Sequence, residues 1–110
     1  MEVIQKKNGD VIVMQVTGKL DSNTSGEFEK EIIGLINKGE NKFLIDGSRL
    51  DYISSAGLRV LLFSAKKLKA SGGRIVLSSL KDHIREVFDI AGFSSIFPIY
   101  ESSEAAEQNF

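Results

Sequence analysis

The fold of this chain is decided by residues 43–62, which read FLIDGSRLDYISSAGLRVLL. The first four residues, Phe43–Asp46, form a short apolar run that is typical of a buried strand. After a short polar turn come Ser54-Ser55-Ala56-Gly57, and a long segment with helical periodicity begins there. The stretch therefore predicts a strand, a serine-containing turn and a helix in that order.

Ser55 lies at the predicted start of this helix, and two interpretations of it are open. The first backbone N–H groups of a helix have no partner within the helix, and the positive end of the helix dipole lies at the same place. Such a position can hold an anion, including a phosphate attached to the serine itself. The alternative is an ordinary N-cap, with the Ser55 hydroxyl bonded to the N–H of Leu58. The local pattern alone favours the N-cap, because capping serines are common.

The composition excludes several classes of protein. A chain of 110 residues predicts one domain, residues 1–110, that can form a core without disulfides or metal. The absence of cysteine excludes thiol catalysis and thiolate zinc sites. The formal net charge of −1 arises from interspersed charges, so we expect no direct nucleic-acid partner. The Lys66, Lys67 and Lys69 cluster indicates the solvated face of a helix rather than a phosphate-binding patch.

The sequence shows neither a signal peptide at its N-terminus nor an apolar stretch of membrane-spanning length. The N-terminus has no basic region followed by a sustained apolar run, so it does not resemble a signal peptide. No apolar stretch approaches the roughly 20 residues that a helix needs to span a bilayer. We therefore expect a cytoplasmic protein with no membrane span.

Periodicity along the chain predicts the order β-β-α-β-α-β-α-β-α. Strands are expected at residues 3–6, 11–17, 42–46, 74–78 and 96–100, with an Asn8-Gly9-Asp10 hairpin turn between the first two. Helices are expected before Gly39, at about 56–70, near 81–91 (burying Ile84, Val87, Phe88 and Ala91), and in the tail at 103–108. Helical crossovers between the later strands favour parallel pairing. We therefore expect a single α/β domain with a mixed, mostly parallel sheet, an N-terminal hairpin and helices packed on one face.

Catalytic and metal-binding patterns are weak. A Ser-His-Asp hydrolase would need Ser55 and the only histidine, His83, but Ser55 is not in a G-x-S-x-G elbow. His83 is more simply an exposed residue near the start of the third helix. No Asp, Glu or His pair has metal-ligand spacing, and Gly72-Gly73 is not part of a G-x-x-x-x-G-K-[ST] loop. We expect no enzyme activity, metal or cofactor, and an enzyme or nucleotide-binding protein is the least supported hypothesis.

Asp21 follows Gly18-Lys19-Leu20 at the end of a predicted strand and precedes a run of Ser, Asn and Thr. One interpretation is a turn and N-cap cluster that leads into the first helix. The other places this loop beside the Ser55 turn, because both follow the carboxyl ends of strands, where open α/β sheets carry their sites. The residues themselves leave both interpretations open.

Four segments of the chain occur in the same order as the characteristic segments of a known protein family. They are Gly18–Asp21, the strand near residue 45, Ser54–Leu58, and the Ser79 to Phe97 region with its Phe88-x-x-x-Gly92-Phe93 spacing. With these segments the chain resembles the STAS domain family, and within it the stand-alone anti-sigma factor antagonists of bacteria. The resemblance covers essentially the whole chain, and the serine turn is its most specific part.

The resemblance implies a regulatory binding protein. In the family, a serine before a small residue and Gly-Leu is phosphorylated by an anti-sigma factor that is also a serine kinase. The unphosphorylated form binds that kinase and frees the sigma factor, and a PPM-type phosphatase removes the phosphate. Carried over by position, the phosphoacceptor is Ser55, and the partner-binding residues are Asp21, Ser54, Ser55 and Gly57. Gly57 has no side chain, and we expect a partner to approach the backbone closely there.

Ser54 departs from the family pattern, because many antagonists carry Asp immediately before the phosphoacceptor. The substitution places a rival hydroxyl next to Ser55 and removes a charge that a kinase could read. The alternative function is a non-phosphorylated STAS scaffold, a subunit of a signalling or lipid-transport assembly. In that case the Ser55 turn would serve only as a docking surface.

Overall fold

An N-terminal hairpin opens the computed structural model, which describes residues 1–110. Its strands are β1 (Glu2–Asn8) and β2 (Val11–Leu20), and they pair antiparallel with Asn8 opposite Val11. Gly9 lies in the turn with φ +61°, a conformation that favours glycine. The predicted hairpin is confirmed, but β2 is longer than expected and ends at Leu20, directly before Asp21.

Four further strands complete a six-stranded sheet: β3 (Lys42–Asp46), β4 (Leu50–Ile53), β5 (Arg74–Ser78) and β6 (Ile99–Tyr100). The order is β1-β2-β3-β5-β6, and β4 pairs separately with the end of β2. Every pair outside the hairpin is parallel, as the helical crossovers predict. The short β6 lies at the edge of the sheet, which suits the neighbouring Pro98.

The presence of β4 corrects the sequence prediction, which has only a polar turn at these residues. Only Leu50 and Ile53 of this strand are buried, so it shows neither an apolar run nor an alternating pattern. The first part of β2, residues 12–15, pairs with β3, and its end pairs with β4 from Gly18 onward. The β2–β4 pairing has a register shift between Gly18 and Lys19. The turn that carries Ser55 therefore follows β4 and lies next to β2.

The four helices are α1 (Ser25–Asn37), α2 (Ser55–Lys69), α3 (Asp82–Ile90) and α4 (Ser103–Glu107), and a 3-10 turn covers Phe93–Ser95. None of them combines the length and the apolar character that a membrane crossing requires. In α3, Ile84 and Phe88 are buried as predicted and Val87 is half-buried. Ala91 lies beyond the end of α3 and is exposed, so its predicted burial is wrong.

The core occupies both faces of the sheet. Its larger part lies under α1, α2 and α3, where Phe28, Phe43 and Phe88 are buried. Its smaller part lies on the opposite face, where Ala106 of α4 packs in a cluster with Leu44. Phe43 and Leu44 belong to different parts because successive residues of a strand point to opposite faces. Three helices thus share one face as expected, and the short α4 covers part of the other.

Candidate functional site

The Asp21 loop and the Ser55 turn lie side by side at one end of the sheet. β2 and β4 run parallel with Leu20 opposite Ile53. One residue further on, the backbone N–H of Ser54 donates to the carbonyl oxygen of Leu20 at 2.9 Å. Both turns therefore leave the carboxyl ends of neighbouring parallel strands, a common location of sites in α/β sheets. The predicted proximity of the two segments is confirmed, although β4 rather than β3 provides it.

Ser54, not Ser55, is the N-cap of α2. Its backbone is extended, with φ −96° and ψ 173°, and its Oγ accepts a hydrogen bond from the N–H of Gly57 at 3.4 Å. The N–H of Leu58 donates instead to the Ser54 carbonyl oxygen at 3.0 Å. The predicted capping bond from Ser55 to Leu58 is therefore wrong, because the helix begins one residue earlier than the sequence indicates.

Ser55 is the first residue of α2 and is exposed. Because Ser54 supplies the cap, the Ser55 hydroxyl has no part in holding the helix terminus. Ser54 is half-buried and its hydroxyl oxygen is occupied by the Gly57 N–H. The two adjacent serines therefore differ: one supports the helix, and the other presents a free hydroxyl to solvent.

The N-terminal end of α2 favours a negative charge at Ser55. The first turn of α2 contains no acidic residue, and the positive end of the helix dipole lies there. Arg59 follows one turn later on the same side of the helix and is exposed. None of the four ion pairs in the chain uses Arg59. An anion on Ser55 would therefore have a cation within reach.

Asp21 holds its own loop together. Its Oδ1 accepts hydrogen bonds from the N–H groups of Asn23 at 2.9 Å and Thr24 at 3.2 Å. The Oγ1 of Thr24 in turn accepts from the Asp21 N–H at 2.9 Å. This reciprocal pattern closes a turn directly before α1, whose own N-cap, Thr24, makes no side-chain capping bond. Asp21 thus has the turn role, and it directly follows Leu20, whose carbonyl oxygen accepts from the Ser54 N–H.

Gly57 is buried, and it faces the sheet rather than solvent. A Cβ at this position would lie 2.9 Å from Cγ1 of Ile53, from Cγ of Leu20 and from the carbonyl oxygen of Leu20. The absence of a side chain therefore lets the first turn of α2 pack closely on β2 and β4. The argument that the missing side chain leaves room for a partner is wrong, because that side of Gly57 is filled by Leu20 and Ile53. Contact of a partner with this position stays a prediction.

A second contact at this end of the molecule is absent from the sequence predictions. Asp51 of β4 forms an ion pair with Lys81, and the hydrogen bond from that lysine lowers the pKa of the Asp51 carboxyl below its ordinary value. The Nε2 of His83 also lies 2.7 Å from the Asp51 carbonyl oxygen, where it can donate a hydrogen bond. These contacts fasten the start of α3 to β4. His83 itself is exposed, as expected.

Tyr52 is another residue that the sequence predictions missed. It lies on β4 two residues before the cap, and 49% of its surface is exposed. A large, half-exposed aromatic side chain beside a candidate site is typical of a protein-binding surface. The four-residue strand β4 has no periodic pattern, so the exposure of the Tyr52 side chain could not be predicted from the sequence.

Comparison with known proteins gives a consistent result. A family model described as the STAS domain matches residues 2–106. A Bordetella bronchiseptica protein named as an anti-sigma factor antagonist, BtrV, is 44% identical over 110 residues, which are 100% of this chain and 95% of that protein. The crystal structure of a Thermotoga maritima protein described as an anti-sigma factor antagonist has a TM-score of 0.93 and 25% identity, covering 97% of this chain and 92% of that one.

The phosphorylated form of SpoIIAA, a Bacillus cell fate determinant, is also similar in structure. Its TM-score is 0.78 and its identity 21%, and the match covers 98% of both chains. At this level of identity the likeness concerns the fold alone.

Proposed function

We propose that this chain, which belongs to the STAS domain family and to its anti-sigma factor antagonists, is a binding module switched by phosphorylation of Ser55. Its unphosphorylated form binds an anti-sigma factor that is also a serine kinase, and the sigma factor is released. Phosphorylation ends this binding, and a PPM-type phosphatase restores it. The cycle takes place in the cytoplasm, where sigma factors act.

One observation carries the proposal: the Ser55 hydroxyl is exposed at the first position of α2, while Ser54 supplies the cap. A kinase must reach the hydroxyl without unfolding its substrate, and Ser55 meets that condition. Ser54 meets it less well, because the residue is half-buried and its hydroxyl oxygen accepts from the Gly57 N–H. The rival acceptor that the sequence leaves open is therefore disfavoured.

The expected effect of the phosphate is on binding rather than on folding. A phosphoserine carries about −1.5 to −2 charges at neutral pH. Near a helix N-terminus such a charge is locally favourable, and Arg59 lies one turn away. A partner packed flush against Ser55 would instead have to remove water from a dianion and make room for it. The fold should survive while the interface is lost.

The acceptor can be identified with the cognate anti-sigma kinase and ATP. Wild type, Ser55→Ala and the matched control Ser54→Ala are incubated in parallel, and site-resolved mass spectrometry locates the phosphate. We expect phosphorylation of residue 55 in wild type and in Ser54→Ala, and none in Ser55→Ala. Full phosphorylation of Ser55→Ala at Ser54 would contradict the assignment.

A further inference from the structure

A groove that does not include the Ser55 turn lies between the C-terminal half of α2, the start of β5 and the segment 96–98. Its volume is about 490 Å³. Its apolar lining residues are Leu62, Ala65, Ile75, Ile96 and Phe97. We call it the α2–β5 groove.

The wall of the groove exposes an apolar side chain to solvent. Ile96 is 48% exposed, whereas the neighbouring Phe97 is only 2% exposed and belongs to the core. Phe97 therefore fixes the segment, and Ile96 stands at the rim. An exposed apolar side chain that continues into an apolar groove is typical of an interaction site, whereas scattered single residues are not.

The rim of the groove is cationic. Lys66 and Lys69 line it, and no acidic residue does. Neither lysine takes part in any of the four ion pairs of the chain. Arg74 also lines the groove, but its guanidinium lies 5.7 Å from the centroid of the Phe110 ring and is partly engaged there. Two free ammonium groups therefore border an apolar surface.

A simpler explanation accounts for only part of this arrangement. Lysines in the last turn of a helix offset its dipole, and α2 ends with Lys66, Lys67 and Lys69. That effect explains cations at the end of α2. It does not explain why Ile96, from a separate segment, exposes an apolar surface beside two of them.

We propose that the α2–β5 groove binds an acidic amphipathic helix of a protein partner. Large apolar side chains of that helix would occupy the groove, and its carboxylates would pair with Lys66 and Lys69. Recognition of an amphipathic helix by an apolar groove is a common mode of peptide binding, and charge complementarity sets its register and its partner. Leu62 and Lys66, which line the groove, are seven and eleven residues beyond Ser55, or about 10 and 17 Å along the helix axis, so this surface does not include the switch.

A synthetic peptide provides the probe. It has about 15 residues, with Leu at i, i+3, i+4 and i+7 positions and Glu at most others, and a fluorescent label for anisotropy titration. We expect saturable binding, with shifts of the backbone amide NMR signals of Lys69, Gly73 and Ile96. The double variant Lys66→Glu/Lys69→Glu should weaken binding at least about 10-fold, and Ile96→Ser should weaken it by a similar factor.

Matched controls separate this site from general attraction and from the switch. Lys67→Glu changes an exposed lysine of the same helix that does not line the groove, and it should leave the affinity within about 2-fold of wild type. Ser55→Asp should also bind the peptide normally. Circular dichroism checks that each variant is folded.

Four results would overturn the proposal. They are an absence of binding, equal binding of a peptide with Ala in place of every Leu, equal weakening by Lys67→Glu, and loss of binding in Ser55→Asp. The last result would place the peptide at the switch site. A failure here would leave the phosphorylation proposal intact, because neither kinase nor phosphate enters this experiment.

Discussion

Replacing Gly57 by alanine tests how tightly α2 is fixed to the sheet. The new Cβ would lie 2.9 Å from Cγ1 of Ile53, from Cγ of Leu20 and from the Leu20 carbonyl oxygen. The two side chains have some freedom to move, but the carbonyl oxygen belongs to the backbone of β2 and does not. The first turn of α2 must therefore shift away from β2 by several tenths of an ångström.

Two opposing contributions decide the size of the effect. Alanine inside a helix is favoured over glycine by roughly 0.5–1 kcal/mol. Overpacking of a closed site costs roughly 1–3 kcal/mol. We expect a net loss of about 1–2 kcal/mol of unfolding free energy, which corresponds to a fall in Tm of roughly 4–10 °C for a domain of this size.

Gly34→Ala is the matched control for this prediction. Gly34 lies inside α1, and a Cβ there would meet no atom within 4 Å. This variant should gain roughly 0.5–1 kcal/mol from helix propensity alone. Thermal and urea unfolding of both variants give the comparison. If Gly57→Ala were stabilised as much as Gly34→Ala, our account of the packing under Ser55 would be wrong.

Three further predictions concern single polar groups. The hydroxyl of Ser64 is buried without a hydrogen-bond partner, so Ser64→Ala should keep the free energy of unfolding measured in urea or raise it by up to about 1 kcal/mol. A clear loss would show that the hydroxyl forms a stabilising hydrogen bond. Asp21→Asn keeps the Oδ1 acceptor and should have a Tm near that of wild type, whereas Asp21→Ala should lower the free energy of unfolding by about 1 kcal/mol. Equal losses in the two variants would show that the charge of Asp21 matters rather than its hydrogen bonds in the turn. The hydrogen bond from Lys81 lowers the pKa of Asp51 in the folded protein below the ordinary value of 3.8. The ion pair therefore stabilises the fold above pH 3.8, and this contribution is lost as the pH falls through the lowered pKa. The Tm of wild type should therefore be higher than that of Asp51→Asn at neutral pH, and the difference should disappear in acid. A Tm difference that does not change with pH would contradict a stabilising ion pair between Asp51 and Lys81.

Much of the fold could be predicted because its signals are local. The hairpin turn, the apolar run at Phe43–Asp46 and the periodic helices each depend on residues close in sequence. β4 could not be predicted in this way, since its two central residues are exposed and its partner is the distant end of β2. The same holds for the ion pair of Asp51 with Lys81, which are 30 residues apart.

The candidate site could be predicted in position but not in detail. Its two loops were expected to meet because both follow the carboxyl ends of strands, and they do. The N-cap was misplaced by one residue, because Ser54 and Ser55 are chemically equivalent caps and helix boundaries are uncertain by one or two residues. The inward orientation of Gly57 depends on the position of β4, so it could not be derived before that strand was known.

The most direct test of the central claim is a calorimetric titration of the anti-sigma partner with the unphosphorylated and the Ser55-phosphorylated protein. Burying the phosphate against a partner that supplies no cation of its own should lower the affinity at least about 100-fold, or near 2.7 kcal/mol, even with Arg59 one turn away. Lys67→Ala, on the exposed outer side of α2, should bind as tightly as the unphosphorylated wild type. Equal affinities of the two phosphorylation states would contradict the switch and favour a scaffold role for the Ser55 turn.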